Sequence, residues 1–171
     1  YGNSDISEKD ALESDDIFRI ASMTKPIVSV ALMMLHEEGK FKLNDPVYKY
    51  IPEFKNLTVK KRKKTKPVKN HVKIIDLLRH SAGLNFKGPD DYRKVIDLSL
   101  EEYTKESIKS PLKFEPGTTW WYSYATDLCG YLIEVLSQEK LDVFLKSRIF
   151  DPLEMNDTFF ELPNSKLDRL T

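Results

Sequence analysis

A serine placed three residues before a lysine on a helix brings a nucleophile within reach of an amine, because residues three apart are neighbours on a helix surface. Three such pairs occur here: Ser22/Lys25, Ser110/Lys113 and Ser137/Lys140. With 13 serines and 21 lysines among 171 residues, chance supplies roughly 1.6 pairs, so spacing alone is weak evidence. Context must separate the three.

Ser110/Lys113 encloses Pro111 between helical segments, and Ser137/Lys140 falls near a helix C-terminus, where the dipole opposes a developing oxyanion. Ser22 differs, because it stands at the mouth of the apolar helix in the stretch "IFRIASMTKPIVSVALMMLHEEG", residues 17–39. From Ile27 the apolar residues Val30, Ala31, Met34 and Leu35 recur at helical spacing, and Val28, Leu32 and Met33 fill the remaining circumference. The pattern predicts a helix buried nearly all round, with Pro26 in its first turn and Gly39 as its C-terminal stop. There the first-turn backbone donors could stabilise an attacked carbonyl, and a desolvated Lys25 amine could accept the serine proton. Spacing alone still favours the blander reading, in which Ser22 caps the helix and Lys25 stays in water.

Other nucleophile arrangements are weaker. No Gly-x-Ser-x-Gly is present, and His36, His71 and His80 read as surface or capping groups rather than catalytic bases. Cys129 lies within "TDLCGYLIEVL" and reads as a small buried hydrophobe. No Cys/His cluster has zinc spacing, so no metal or other cofactor is expected.

The elements that must position Ser22 are mostly helical. "IFRIA" reads as a strand end and loop feeding the serine helix, and "KLNDPVYKYIPEF" as short irregular surface pieces. "IIDLLRHSAGL" reads as a short helix ending at Gly83. A polar helical region then runs through "DDYRKVIDLSLEEYTKESIKS", broken around residues 98–100, and "TDLCGYLIEVLSQEKLDVFLKSRIF" reads as two helical stretches. Strand signals are too few for a closed sheet. Alternation at Leu57, Val59, Val68, Val72 and Ile74 predicts a hairpin whose tip carries Lys60, Lys61, Arg62, Lys63, Lys64 and Lys66. Basic and acidic residues number 27 each. With no net charge and no interleaved aromatics, that tip reads as a solvated face, and no nucleic-acid partner is expected. No apolar run reaches the ~18 residues of a membrane span. Localisation and oligomeric state are not legible.

Four collinear blocks give a sharper signal: "FRIASMTKPI", "LLRHSAGL", "FEPGTTWWYSYATDLCGYLIEVLS" and "IFDPLEMNDTFF". Together, along almost the whole chain, they resemble the serine β-lactamase-like hydrolases, the superfamily of class C β-lactamases, penicillin-binding DD-peptidases and family VIII carboxylesterases. The resemblance implies an α/β (α+β) β-lactamase/transpeptidase-like fold, here a mainly helical portion with an incomplete antiparallel sheet. It implies one domain over residues 1–171 that lacks N-terminal strands and the C-terminal part of the sheet. It also implies Ser22 as nucleophile, with Lys25 and Tyr122 of "YSY" as general base and acid in an acyl-enzyme mechanism on a small ester or amide.

Two departures shape the substrate expectation. Many β-lactamases and DD-peptidases carry Tyr-x-Asn, whereas Tyr124 stands at the asparagine position, as a substrate-binding residue closer to the esterase pattern. The Lys-Thr-Gly or His-x-Gly strand that supplies a second oxyanion donor in the family is not found; "KTK" at 64–66 lies in the basic hairpin. Carboxylic esters are the favoured substrates, with side activity on β-lactams. A D-alanyl-D-alanine carboxypeptidase or a non-catalytic scaffold are the alternatives.

Overall fold

The computed structural model describes residues 2–5, 10–62, 64–85 and 97–171. Two packed helices form its centre. The first, α1 (Thr24–Glu37), accommodates Pro26 in its opening turn, where a missing backbone donor costs nothing, and stops at Gly39 with φ +75°. Val28, Ala31, Leu32 and Leu35 fall at i, i+3, i+4 and i+7 and are at most 3% exposed. That stripe packs against α4 (Ala125–Ser137), which buries Leu128, Cys129, Leu132 and Ile133. The expectation of a helix buried nearly all round is corrected here: Val30 is 55% exposed. Partners cover one face of α1, so only a 100°-wide stripe is needed.

Among the described residues the strands form two separate antiparallel ribbons, β1 (Asn3–Asp5) with β2 (Asp10–Ala11) and β3 (Thr58–Lys61) with β4 (Lys64–Pro67). Ile17 makes an isolated parallel bridge to Leu170, tying the entry to α1 to the other end of the chain. In the second ribbon Val59 is buried and Lys60, on the opposite side, is exposed, as alternation requires, while Lys61 and Lys64 are exposed at the ribbon's end; Lys63 lies outside the described residues. The turn before β4 has Arg62 at φ +56°, and Lys66 pairs with Glu115 at 2.9 Å. The "NDPVYKYIPEF" stretch forms two short 3₁₀ turns, Val47–Lys49 and Pro52–Asn56.

The short helix α2 (Ile74–Leu78) ends before the expected Gly83, because His80 turns into the left-handed region at φ +56°. One buried carboxylate fixes both of its ends. Asp76 Oδ2 accepts from the Lys73 amide at 3.1 Å, and Oδ1 accepts from Arg79 at 3.0 Å and from the Ser81 hydroxyl at 2.9 Å. In α3 (Leu100–Ser107), Ser99 and Glu102 form a reciprocal capping box. Residues 90–96, the first part of that expected helical region, lie outside the described residues. After α4 the chain forms α5 (Leu141–Leu145) and a π-helical turn at Lys146–Phe150. Cys129 is 1% exposed, and burial pushes its thiol up to about 12, as a structural side chain requires.

Gly83 follows α2 at φ +82°, and a Cβ there would stand 2.4 Å from the Phe114 carbonyl oxygen. Gly83→Ala is therefore expected to destabilise the fold by about 3 kcal/mol, combining backbone strain with a backbone clash. A thermal melt checks this, with a fall of roughly 2–4 °C expected per kcal/mol at this chain length.

Candidate active site

Because α1 and α4 pack side by side, the residues just ahead of their first turns come together. Ser22 sits in the 3₁₀ turn Ala21–Met23 that runs into α1, and Tyr122 precedes α4 by three residues. Across 100 positions of sequence, Ser22 Oγ and the Tyr122 hydroxyl share a hydrogen bond of 2.8 Å. Lys25 Nζ, one helical turn on, donates to Ser22 Oγ at 3.2 Å and lies 4.9 Å from the centre of the Tyr122 ring. The three residues expected from the sequence thus form one cluster.

The backbone is strained where the nucleophile candidate is presented. Ala21 has φ +45°, a conformation costing a non-glycine residue about 1–3 kcal/mol, and such outliers gather at functional sites. Ser22 is exposed and Lys25 only half-buried, so the desolvated lysine expected from an all-round apolar helix is corrected. Electrostatics act on the phenol instead. Lys25 first, and Ser22 second, hold the Tyr122 hydroxyl below the ordinary phenol value of 10.0, because both favour the phenolate.

Tyr124 faces elsewhere. It is 8% exposed, its hydroxyl donates to the Ser107 carbonyl at 2.8 Å, and burial pushes its phenol up, so the expected substrate-binding role is corrected to a packing one. Two residues apart on an extended run would share a side; Tyr124 turns away because it already stands at the N-cap of α4, with φ −75° and ψ 18°. The other Ser-x-x-Lys pairs are not at this cluster; Ser137, for instance, closes α4 by donating to the Ile133 carbonyl at 2.7 Å.

A residue expected to be a mere cap belongs to the neighbourhood. The His80 ring lies 4.9 Å from the Tyr122 ring, tilted by 31°, with Trp120 edge-on at 6.4 Å. Burial and the positive charge of Lys25 hold its imidazole below the ordinary 6.5, which keeps it neutral at neutral pH. Sequence proximity gave no sign of this, since His80 and Tyr122 meet only through the turn after α2. His36, by contrast, sits where a cap should, its Nδ1 2.9 Å from the Phe41 carbonyl, and His71 packs on Tyr48. Among the described residues no three His, Cys, Asp or Glu side chains converge as a metal would require.

Comparison with known proteins identifies the family and the fold. The Beta-lactamase family model matches residues 1–171. Esterase EstB of Burkholderia gladioli is 31% identical over 161 residues, 87% of this chain and 40% of that protein. A putative D-alanyl-D-alanine carboxypeptidase of Salmonella typhimurium is 32% identical over 153 residues, 86% of this chain and 34% of that one. The solved structure of EstCE1, a hydrolase with promiscuous acyltransferase activity, superposes with a TM-score of 0.84 at 26% identity, covering 99% of this chain and 45% of that one. The chain therefore spans less than half the length of the relatives it matches. With the family model matched from end to end and a β-lactamase/transpeptidase-like fold, the chain belongs to the Beta-lactamase family of hydrolases.

Proposed function

We propose that the protein is a serine hydrolase that cleaves carboxylic esters through an acyl-enzyme on Ser22. The observation that carries this reading is the bracketing of Ser22 Oγ by the Tyr122 hydroxyl at 2.8 Å and the Lys25 ammonium at 3.2 Å. An ammonium can only donate, so Lys25 occupies one lone pair of Oγ, and when Tyr122 is the phenolate, which can only accept, the serine proton is directed at the Tyr122 oxygen. With its phenol held low by Lys25, Tyr122 is the base.

Attack forms the bond from Oγ to the acyl carbon while the serine proton passes to the Tyr122 phenolate. Collapse breaks the bond to the leaving alkoxide, which takes that proton from Tyr122. Water then adds to the acyl-enzyme, giving its proton to Tyr122, and the acid departs as Ser22 recovers the proton. The positive end of the α1 dipole begins two residues after Ser22 and favours negative charge developing beside it. The domain of residues 1–171 is, on this proposal, the part of a longer sheet-and-helix unit that supplies nucleophile and base.

Esters are preferred over peptides because no side-chain amide occupies the third position of "YSY" and the tyrosine there is turned into the core. The apolar Met23 and Trp120, 68% and 66% exposed, suit an apolar acyl group better than a charged peptide. The relative named as a putative D-alanyl-D-alanine carboxypeptidase supports the peptidase alternative. The whole protein is expected to hydrolyse short-chain nitrophenyl esters with a kcat/KM about tenfold or more above that for D-Ala-D-Ala peptides. The reverse preference assigns it to peptides.

A further inference from the structure

The turn after α2 grips the strand-like segment that carries Tyr122. The Gly83 carbonyl accepts from the Lys113 amide at 2.8 Å, Ser81 from Gly117 at 2.8 Å, and His80 from Trp121 at 2.9 Å. His80 contributes twice more: its Nδ1 accepts from the Ser123 amide at 3.3 Å, and its ring lies against the phenol. Trp121 and Ser123 are the two sequence neighbours of Tyr122. A single residue thus holds the backbone on both sides of the phenol and its ring as well.

We propose that His80 is the positioning residue for Tyr122: it clamps the phenol at hydrogen-bond distance from Ser22 without itself exchanging a proton with substrate. This rests on the serine-hydrolase reading above. Two features argue against a simple packing role. First, the residue stands at φ +56°, where histidine is strained and glycine is not, so backbone geometry alone would favour a different side chain. Second, its Nδ1 is spent on accepting the Ser123 amide, which puts the ring proton of the neutral imidazole on Nε2 and removes Nδ1 as a base. The same turn is braced from behind by buried Asp76 through Arg79 and Ser81, so the clamp is mounted on a rigid support.

The consequence is kinetic. A displacement of 1 Å at a catalytic group costs up to ~10²-fold in rate. His80→Gly suits the left-handed backbone and deletes both the acceptor and the ring, whereas His80→Asn tolerates the same backbone and restores an acceptor near the Nδ1 position. In the whole protein, ester hydrolysis by His80→Gly is expected to lose about tenfold or more in kcat with KM unchanged. His80→Asn should recover to within about threefold of the parent. The acid limb of the pH–rate profile should also rise in His80→Gly, because a displaced Tyr122 loses the contacts with Lys25 and Ser22 that lower its phenol, and return in His80→Asn. Among the described residues, the charged groups that act on that phenol are Lys25 of α1 and, more weakly, Asp127 of α4, and both are untouched by either variant.

Thermal melts separate this from general loss of fold, and His80→Leu, which fills the ring's place without an acceptor, replaces His80→Gly if the glycine variant does not fold. Tyr122→Phe, measured alongside, keeps the two ideas distinct. If Tyr122→Phe is impaired while His80→Gly keeps parental kcat and pH limb, the clamp is overturned and the hydrolase reading stands. The clamp is equally overturned if His80→Asn is no better than His80→Gly. If Tyr122→Phe keeps full activity, the hydrolase mechanism itself falls, and the clamp with it.

Discussion

Ser22→Ala is expected to abolish ester hydrolysis, lowering kcat by on the order of 10⁴–10⁶ while leaving substrate affinity and the melting temperature close to those of the parent. The size follows from Ser22 being the only atom in the cluster that forms a covalent bond. Stability should be spared because Ser22 is exposed and its side chain bonds, among the described residues, to Tyr122 and Lys25, while the backbone bond its carbonyl accepts from Thr24 is kept by alanine. Relief of strain does not enter, since the φ outlier is the preceding Ala21. Stopped assays with a nitrophenyl ester and a parallel melt check both halves. A second expectation sharpens the first: combining Ser22→Ala with Lys25→Met should be no worse than Ser22→Ala alone, because residues acting as one unit lose their effect together.

Lys25→Met carries the next largest effect, about 10²–10⁴ in kcat, and a direction in pH that distinguishes roles. Lys25 is the main cause holding the Tyr122 phenol below its ordinary 10.0. The working form of Tyr122 is the phenolate, so activity rises with pH through the phenol's titration. Removing the ammonium lets that value climb back toward 10.0, and the rising limb of the residual activity must move to higher pH. Were Lys25 the base and Tyr122 a bystander, the variant would lose activity at every pH with no such displacement. Methionine keeps the length and apolar stem of the side chain, so its contact with the Tyr122 ring is little altered. A pH–rate profile from neutral to strongly alkaline conditions gives the answer.

What could be read in the sequence is what depends on neighbours along the chain. The stripe Val28, Ala31, Leu32, Leu35 follows from helical spacing, and the Ser22/Lys25 contact follows from residues three apart on a helix. The β3–β4 ribbon with its lysine-rich end follows from alternation. Where the chain folds back on itself, the same reasoning falters. Val30 was assigned to a helix apolar on every side, yet periodicity cannot say how many faces will find partners, and one stays exposed. Lys25 inherited the same error, since its expected desolvation rested on that all-round burial.

Tyr122 illustrates the limit most sharply. Its chemistry is legible, but the 100 positions separating it from Ser22 were bridged only by the resemblance of four collinear blocks, not by any local pattern. Tyr124 was misassigned because nothing in "YSY" marks where the extended run ends: Tyr124 already stands at the N-cap of α4, which turns its ring into the core, where the Ser107 carbonyl claims its hydroxyl. His80 was passed over as a cap for a related reason. Its bond to the Ser123 amide spans 43 positions, and nothing in "LLRHSAGL" signals that this turn will meet "WWYSY". Helix, turn and strand register are local; which turn meets which strand is decided by the packing of the whole core.

Covalent capture of Ser22 tests the central claim most directly. The whole protein is incubated with a fluorophosphonate or a labelled penicillin, digested with trypsin and sequenced by mass spectrometry. Cleavage after Arg19 and Lys40, with Lys25–Pro26 resisting, yields a peptide that contains both Ser22 and Ser29, so fragmentation must separate the two. The expected result is one adduct, on Ser22, absent from the Ser22→Ala variant and slowed in Lys25→Met. Absence of label on Ser22, or label on Ser29 or any other residue that persists in Ser22→Ala, contradicts it.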